Sequence, residues 1–398
     1  MPGYPKKILI IYKNLPQYRK DFYCRLREAL KTQGIEMNLI YGKLKNRDAS
    51  KKDEIDIDWA NYIDNKVFKI GNVELYWQPC LKEVLKHDLV IVEQANKLLI
   101  NYLLIMLRKI FPIKFAFWGH GINLMLNSNS FQNRFKKLYI NECDWWFAYT
   151  EGVKKIIAQQ GFDENKITAV QNTIDTKKLR DKFNSINRYE IEKLRFELKL
   201  TNGPVGIFCG SIYKEKRIDF LLEACLQIKK AIPDFNLLVI GAGPQQHLIE
   251  KAAASHEWIH YVGPKFDEQR LLYFKISDVL LLPDAVGLSV IDSFAFQTPI
   301  ITTKGQYHGP EIEYLIDGEN GSIVNTISPK VYAAQIIRIL DDKARLNALK
   351  RGCRNSIEKY SLEQMVANYA DGICRCLHVK SKNKADAIPA QDEIPNVC

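Results

Sequence analysis

Short apolar runs alternate with longer amphipathic stretches through almost the whole chain. In the first half, Ile8–Tyr12, Met37–Tyr41, Leu89–Glu93, Lys114–Trp118, Trp145–Tyr149 and Ile167–Val170 read as strands. Helical periodicity lies between most of them, as in Arg19–Gln33 and Leu98–Ile110. In the second half the strands are Val205–Cys209, Asn236–Ile240, Ile259–Val262, Val279–Leu282, Ile300–Thr303 and Ser322–Val324. Helices are expected over Ile218–Ala231, Gln246–Ser255, Glu268–Ile276 and Leu288–Phe296. A strand-then-helix rhythm places helices over parallel sheets, here twice. The expected fold class is α/β: two doubly wound parallel-sheet domains facing a cleft. Ligands of such sheets bind outside the carboxyl ends of the strands.

The polar stretch Asp175–Thr201 separates the halves, and Pro329–Val379 is helical without a strand signal. The expected organisation is a first domain over residues 1–178 and a second over 179–362, with 179–201 as linker. A helix over 363–380 packs back on the first domain. Residues 381–398 mix Lys, Asp, Pro, Ala and Glu without periodicity and are expected to be disordered.

Length adds that 398 residues suit two domains, each able to bury a core. A net charge of +11 favours anionic partners: nucleic acid, an anionic membrane face or phosphorylated ligands. No recognition helix or aromatic platform accompanies that charge, so nucleic acid is the weakest of the three. Nine cysteines at no zinc spacing read as reduced structural thiols, with no metal expected. The apolar run at the N-terminus is too short for a signal peptide, and no run reaches spanning length. The expected location is cytoplasmic, with peripheral contact at the inner face of the membrane.

The candidate chemistry sits at strand ends. In Pro283–Asp292 a Gly-Leu-Ser turn lies between two carboxylates, Asp284 and Asp292. A helix starting near Gly287 would aim the Leu288 and Ser289 N–H groups at a phosphate. Asp292 would accept from ribose hydroxyls, and Asp284 would reach the sugar. The plainer alternative is a loop aspartate and a solvated helix face. Gly210-Ser211 with Lys216 and Arg217 places cations near a helix start, which suits a diphosphate or a merely solvated loop. Gly241-Ala242-Gly243 lacks the third glycine of a dinucleotide fingerprint and reads as a tight turn that lets a ligand approach. His120, between Gly119 and Gly121, can donate to a sugar hydroxyl or serve as a capping or core histidine. Arg19 could meet a phosphate or stand on the surface. The Leu98–Leu107 helix, with Arg134, Lys136 and Lys137 further on, fits a membrane-docking face or a core helix with a solvated basic flank.

Taken together, these residues resemble family 4 of the retaining glycosyltransferases, which have the GT-B architecture of two Rossmann-like domains. The resemblance covers roughly Lys7 to Tyr369. It rests on Gly210 to Lys216, Gly241-Ala242-Gly243, Asp284 to Asp292, Gln297-Thr298-Pro299-Ile300, and Pro310-Glu311-Ile312 with Asn320-Gly321. Trp118-Gly119-His120-Gly121, Tyr149-Thr150-Glu151 and Asn172-Thr173-Ile174-Asp175 are similar to members that build bacterial surface polysaccharides. The departures are Ser211 for the loop arginine, aspartates for both glutamates, and Gln297 for a glycine.

The resemblance implies a UDP- or GDP-linked sugar as donor and a saccharide or lipid-linked saccharide as acceptor, without cofactor or metal. The first domain would take the acceptor and the second the donor. His120, Asp284 and Lys216 would be the catalytic residues. Gly210, Ser211, Arg217, Gly243, Gly287, Leu288, Ser289 and Asp292 would hold the donor, and Arg19 would stand on the acceptor or phosphate side. A sugar-nucleotide epimerase of the same build, or a non-catalytic sugar-nucleotide-binding subunit, are the alternatives.

Overall fold

In the computed structural model, which describes residues 5–43, 55–71, 73–122 and 130–379, the apolar runs form two parallel sheets. The chain divides into one unit of Met1–Asp175 with Leu362–Cys398 and another of Thr176–Ser361.

In the first unit the strands are β1 (Lys6–Tyr12), β2 (Ile35–Tyr41), β3 (Asn61–Tyr62), β4 (Lys66–Ile70), β5 (Val73–Trp77), β6 (Leu89–Glu93), β7 (Lys114–Gly119), β8 (Trp145–Ala148) and β9 (Ile167–Ala169). The sheet order is β3-β2-β1-β6-β7-β8-β9, every pair parallel. β4 and β5 form a separate antiparallel hairpin, which the strand periodicity did not predict. Most of its residues are exposed or half-buried, so no apolar run marks it.

The core on one face of this sheet is aromatic. Trp118 packs against Tyr12, Phe22, Tyr23, Tyr149 and Tyr369. Tyr369 comes from the Leu362–Leu377 helix and stacks on Phe147 at 4.2 Å with the rings 5° from parallel. This late helix thus closes the first unit by burying its apolar stripe there. The tail 381–398 lies outside the described residues.

The second unit holds β10 (Val205–Cys209), β11 (Asn236–Ile240), β12 (Ile259–Tyr261), β13 (Val279–Leu281), β14 (Ile300–Thr303) and β15 (Gly321–Val324). Their order is β12-β11-β10-β13-β14-β15, again all parallel. Continuous burial of β11, β13 and β14 follows from helices on both faces. The order reverses between β10 and β13, so the crevice for a ligand opens at their carboxyl ends. The stretch expected as a linker forms two helices of this unit, Lys177–Ser185 and Arg188–Glu197, the latter started by an Asn187–Glu190 capping box. Cys80, Cys143, Cys209, Cys225, Cys353, Cys374 and Cys376 are free thiols.

Arg19 corrects a second expectation. Its side chain is buried at 1% exposure, with no surface to offer a phosphate. Nη2 donates to Asn172 Oδ1 at 2.5 Å and Nη1 to the Thr173 carbonyl at 3.4 Å. Its guanidinium also lies 5.0 Å from the Trp118 ring. The residue ties the loop after β9 to the aromatic core. Arg19→Ala should therefore destabilise the protein by about 3 kcal/mol or more, through a cavity and unsatisfied acceptors, read as a fall in thermal midpoint.

Candidate functional site

The loops at the carboxyl ends of β10 and β13 build the site of the second unit. After β10 the chain turns at Gly210, whose φ is 150°. Here the Gly241 and Gly243 positions have a use other than ligand approach. A Cβ on Gly241 would lie 1.9 Å from the Gly210 carbonyl oxygen, and one on Gly243 would lie 2.3 Å from that of Ile212. The Ile212 N–H donates to the Ala242 carbonyl at 2.9 Å. The glycines let the loops after β10 and β11 pack backbone against backbone, which holds the 210–217 turn in place.

Lys216 ends a short turn, Lys214–Lys216, and points inward, 7% exposed. Its ammonium donates to the Ala285 carbonyl at 2.5 Å. Burial pushes it down to about 8, against Cys209 and Asp284, which raise it. Arg217 adopts φ 55° and lays its guanidinium 4.5 Å from the Phe220 ring on its own helix. The structure thus brings Lys216, not Arg217, to the loop after β13. Ser211 is exposed.

Asp284 is buried at 1% exposure. Its Oδ1 accepts from the Ala285 N–H at 2.7 Å and from the Tyr307 N–H at 3.1 Å. Gly305 makes room for the carboxylate, since a Cβ there would lie 2.2 Å from Asp284 Cγ. His308 sits 3.7 Å from Asp284. Its Nδ1 accepts from the Val286 N–H at 3.1 Å, and its Nε2 is 2.9 Å from the Thr303 carbonyl. These partners require the neutral tautomer that carries the proton on Nε2. Burial lowers the His308 pKa, in keeping with that state. Asp284 therefore organises the loops 284–286 and 305–308, a role unlike the free sugar contact the spacing implied. His308 and the buried Glu311 were not among the expected site residues. Glu311 Oε2 lies 3.9 Å from where a Cβ on Gly287 would stand. The His-Gly-Pro-Glu run of 308–311 was the available signal.

The Ser289–Ala295 helix follows, with Leu288 as its N-cap. The Val290 and Ile291 amides donate back to the Gly287 and Leu288 carbonyls at 3.1 and 2.9 Å, so the Leu288 and Ser289 amides lie outside those bonds. Asp292 pairs with Arg270, both side chains about one-seventh exposed (13% and 14%). Arg270 was not singled out from sequence; it lies 22 residues away and Asp292 alone gives no hint of it. Among the described residues, Ser289 Oγ and Asp292 Oδ1 are buried without a hydrogen-bond partner. They are two of twelve such atoms among the described residues and stand three positions apart on one helix. Gln297 has φ 52°, the left-handed region that favours glycine. That is the physical reason for a glycine at this position in the motif it resembles.

In the first unit, His120 follows β7. Its ring lies 4.3 Å from that of Tyr149. Burial, helped by Lys136, pushes the imidazole down to about 4, so it is neutral at physiological pH. It can exchange hydrogen bonds with a hydroxyl but brings no positive charge. Gln94, at the end of β6, donates to the Gly121 carbonyl at 2.9 Å and fixes the same loop. Asn123, three positions after His120, lies outside the described residues.

The family model described as Glycosyl transferases group 1 matches residues 190–356. The chain is 27% identical over 181 residues to the alpha-monoglucosyldiacylglycerol synthase of Acholeplasma laidlawii, covering 44% of each chain. It is 24% identical over 296 residues to an uncharacterized glycosyltransferase of Haemophilus influenzae, covering 70% of this chain and 76% of that one. The match thus spans less than half the length of the Acholeplasma protein. Among solved structures, a glycosyltransferase from Rickettsia africae superposes with a TM-score of 0.68 at 17% identity, covering 95% of this chain and 100% of that one. HepE of Anabaena, in complex with UDP, superposes with a TM-score of 0.67 at 13% identity, covering 93% and 100%. Residues 190–356 are thus similar to a group 1 glycosyltransferase domain. The chain has the GT-B fold of the family 4 glycosyltransferases that its motifs resemble.

Proposed function

We propose that this chain is a retaining glycosyltransferase that moves a sugar from a nucleotide-diphosphate sugar to a saccharide or lipid-linked acceptor in bacterial surface-polysaccharide synthesis. The observation that carries the donor is the pair of partnerless buried atoms, Ser289 Oγ and Asp292 Oδ1, at the carboxyl ends of β10 and β13. Lys216 stands on the facing loop of the same crevice. On this reading a diphosphate sits between that ammonium and the Leu288 and Ser289 amides. A ribose hydroxyl would donate to Asp292 Oδ1. Support for a uridine nucleotide comes from HepE, solved with UDP and with UDP-glucose, and from pneumococcal GtfA, solved with UDP and GlcNAc. A lipid acceptor has support in the Acholeplasma relative, whose name is that of a diacylglycerol glucosylating enzyme.

On this reading the anomeric C–O bond to the diphosphate breaks while the acceptor oxygen bonds to the same face of the sugar. The leaving phosphate oxygen takes the acceptor proton. Lys216 and the amides stabilise the charge that develops on the leaving group. Asp284 holds the loop that carries these groups, and His120 is assigned to a sugar hydroxyl as a neutral imidazole.

A thermal-shift screen against UDP, GDP and their sugars is the direct test, since a ligand of the native state raises the midpoint. UDP-sugars are expected to give the largest shift; no shift with any nucleotide would remove the donor site. Product analysis then separates the alternatives. Isomerised donor without acceptor would indicate an epimerase, and binding with neither hydrolysis nor transfer would indicate a binding subunit. In the same assay His120→Ala should lower turnover while leaving the nucleotide shift intact.

A further inference from the structure

The Phe131–Tyr139 helix of the first unit is amphipathic in the wrong sense for a core helix. Phe131, Arg134, Phe135 and Leu138 recur at helical spacing and share one face. That face points to solvent: Phe131 is 83% and Leu138 77% exposed. The opposite face buries Asn133 and half-buries Lys136, and only the last turn, Tyr139 with the C-cap Ile140, reaches the core. Folding normally places the apolar stripe inward, so this inversion needs an occupant outside the chain.

The stripe continues onto a second helix. Tyr102 of the Leu99–Leu107 helix touches Phe135 and Tyr139, with ring centroids 5.9 and 5.7 Å apart. One turn further along, Met106 is exposed, and beyond the helix so is Ile110. The charge on this face has one sign. Residues 97–111 and 130–141 contain no carboxylate, while Lys97, Lys109, Arg134 and Lys137 are exposed. Arg108 is matched by Asp144 and does not count towards it. Exposed aromatic and aliphatic side chains rimmed by lysine and arginine complement a surface that is anionic outside and apolar beneath.

We infer that the face formed by Phe131, Arg134, Phe135, Lys137 and Leu138, extended by Met106 and Ile110, docks the first unit on an anionic lipid bilayer. Among the described residues no helix is long and apolar enough to span one, so the contact is interfacial. The inner end of the same helix meets the loop after β7, since Ile140 Cδ1 lies 3.7 Å from where a Cβ on Gly121 would stand. Docking would therefore bring the loop after β7 near the headgroups, where a lipid-borne acceptor resides. This deepens the proposed function by naming the surface that serves it.

The test is sedimentation of the full chain with sucrose-loaded vesicles. One set is pure phosphatidylcholine and the other includes phosphatidylglycerol. Wild type should bind the anionic vesicles, less at high salt, and bind the neutral ones weakly. Replacing Arg134 and Lys137 with glutamine should weaken anionic binding by roughly thirtyfold, from about 1 kcal/mol per cation near the surface. Phe131→Ser with Leu138→Ser should weaken it by about tenfold or more. Both pairs are exposed, so circular dichroism and the nucleotide thermal shift should be unchanged. That separates failure of this contact from failure of the donor site. Equal binding by wild type and both variants, or no vesicle binding at all, would overturn the inference. So would a wild-type dimer that the serine variant turns into a monomer, since the occupant would then be a second copy.

Discussion

Replacing Lys216 with methionine should reduce sugar transfer by about a thousandfold, the order expected when a preorganised donor to a leaving group is removed. The fold should survive. The ammonium is buried and held by one carbonyl, at 2.5 Å. A methionine of similar length fills the same space while removing a charge whose desolvation costs stability. Activity lost with the thermal midpoint kept would mark a functional cation; a large drop in midpoint with proportionate loss of activity would mark a structural one. The pH dependence adds a second reading. Lys216 is pushed down to about 8, so its charge is lost as pH rises through that value. Affinity for a nucleoside diphosphate should fall in the wild type above about pH 8 and stay flat in Lys216→Met. Stability should move the other way. The folded pKa lies below the unfolded one, so the unfolded chain binds more protons between about 8 and 10.5. The wild type should therefore gain stability relative to the variant as pH rises through that window. Flat affinity in the wild type, measured by calorimetry, would place the diphosphate elsewhere.

Asp292→Ala is expected to be the most destabilising change in the candidate donor site. It strands the Arg270 guanidinium, 14% exposed and stacked 5.4 Å from the Phe296 ring. Leaving one charge of a buried pair uncompensated costs about 3–5 kcal/mol, which for a domain of this size is roughly 10 °C in midpoint. The double replacement Asp292→Leu with Arg270→Met should recover most of that loss. Nucleotide binding should not recover with it, because the orphaned Oδ1 assigned to the ribose is gone. A recovered double variant that still binds UDP as the wild type does would sink the ribose assignment. The same variants decide between the two uses of this carboxylate, as counter-ion and as ligand contact.

Both positions show where reading the chain succeeds and where it stops. Asp284 and Asp292 were legible as a pair because their spacing and the Gly-Leu-Ser turn between them lie within one short segment. Their partners were not. Gly305 and Tyr307 close over Asp284 from the loop after β14, and Arg270 reaches Asp292 from before β13. Arg19 was legible as a cation at a helix start, yet its burial under Trp118 and its bond to Asn172 depend on segments about 100 to 150 residues away.

By itself the sequence determined the two parallel sheets, because buried strands are written as local apolar runs and each helix as a local period. It also determined the candidate donor loops, since glycines, cations and carboxylates fall at strand ends. Only the tertiary structure decided what those residues do there. It turned Gly241 and Gly243 into packing contacts and made Asp284 a loop clamp. It also separated Lys216 from Arg217, and set a helix with its apolar face outward. Local periodicity carries the element; the direction a side chain takes is settled by neighbours that are close in space and distant in the chain.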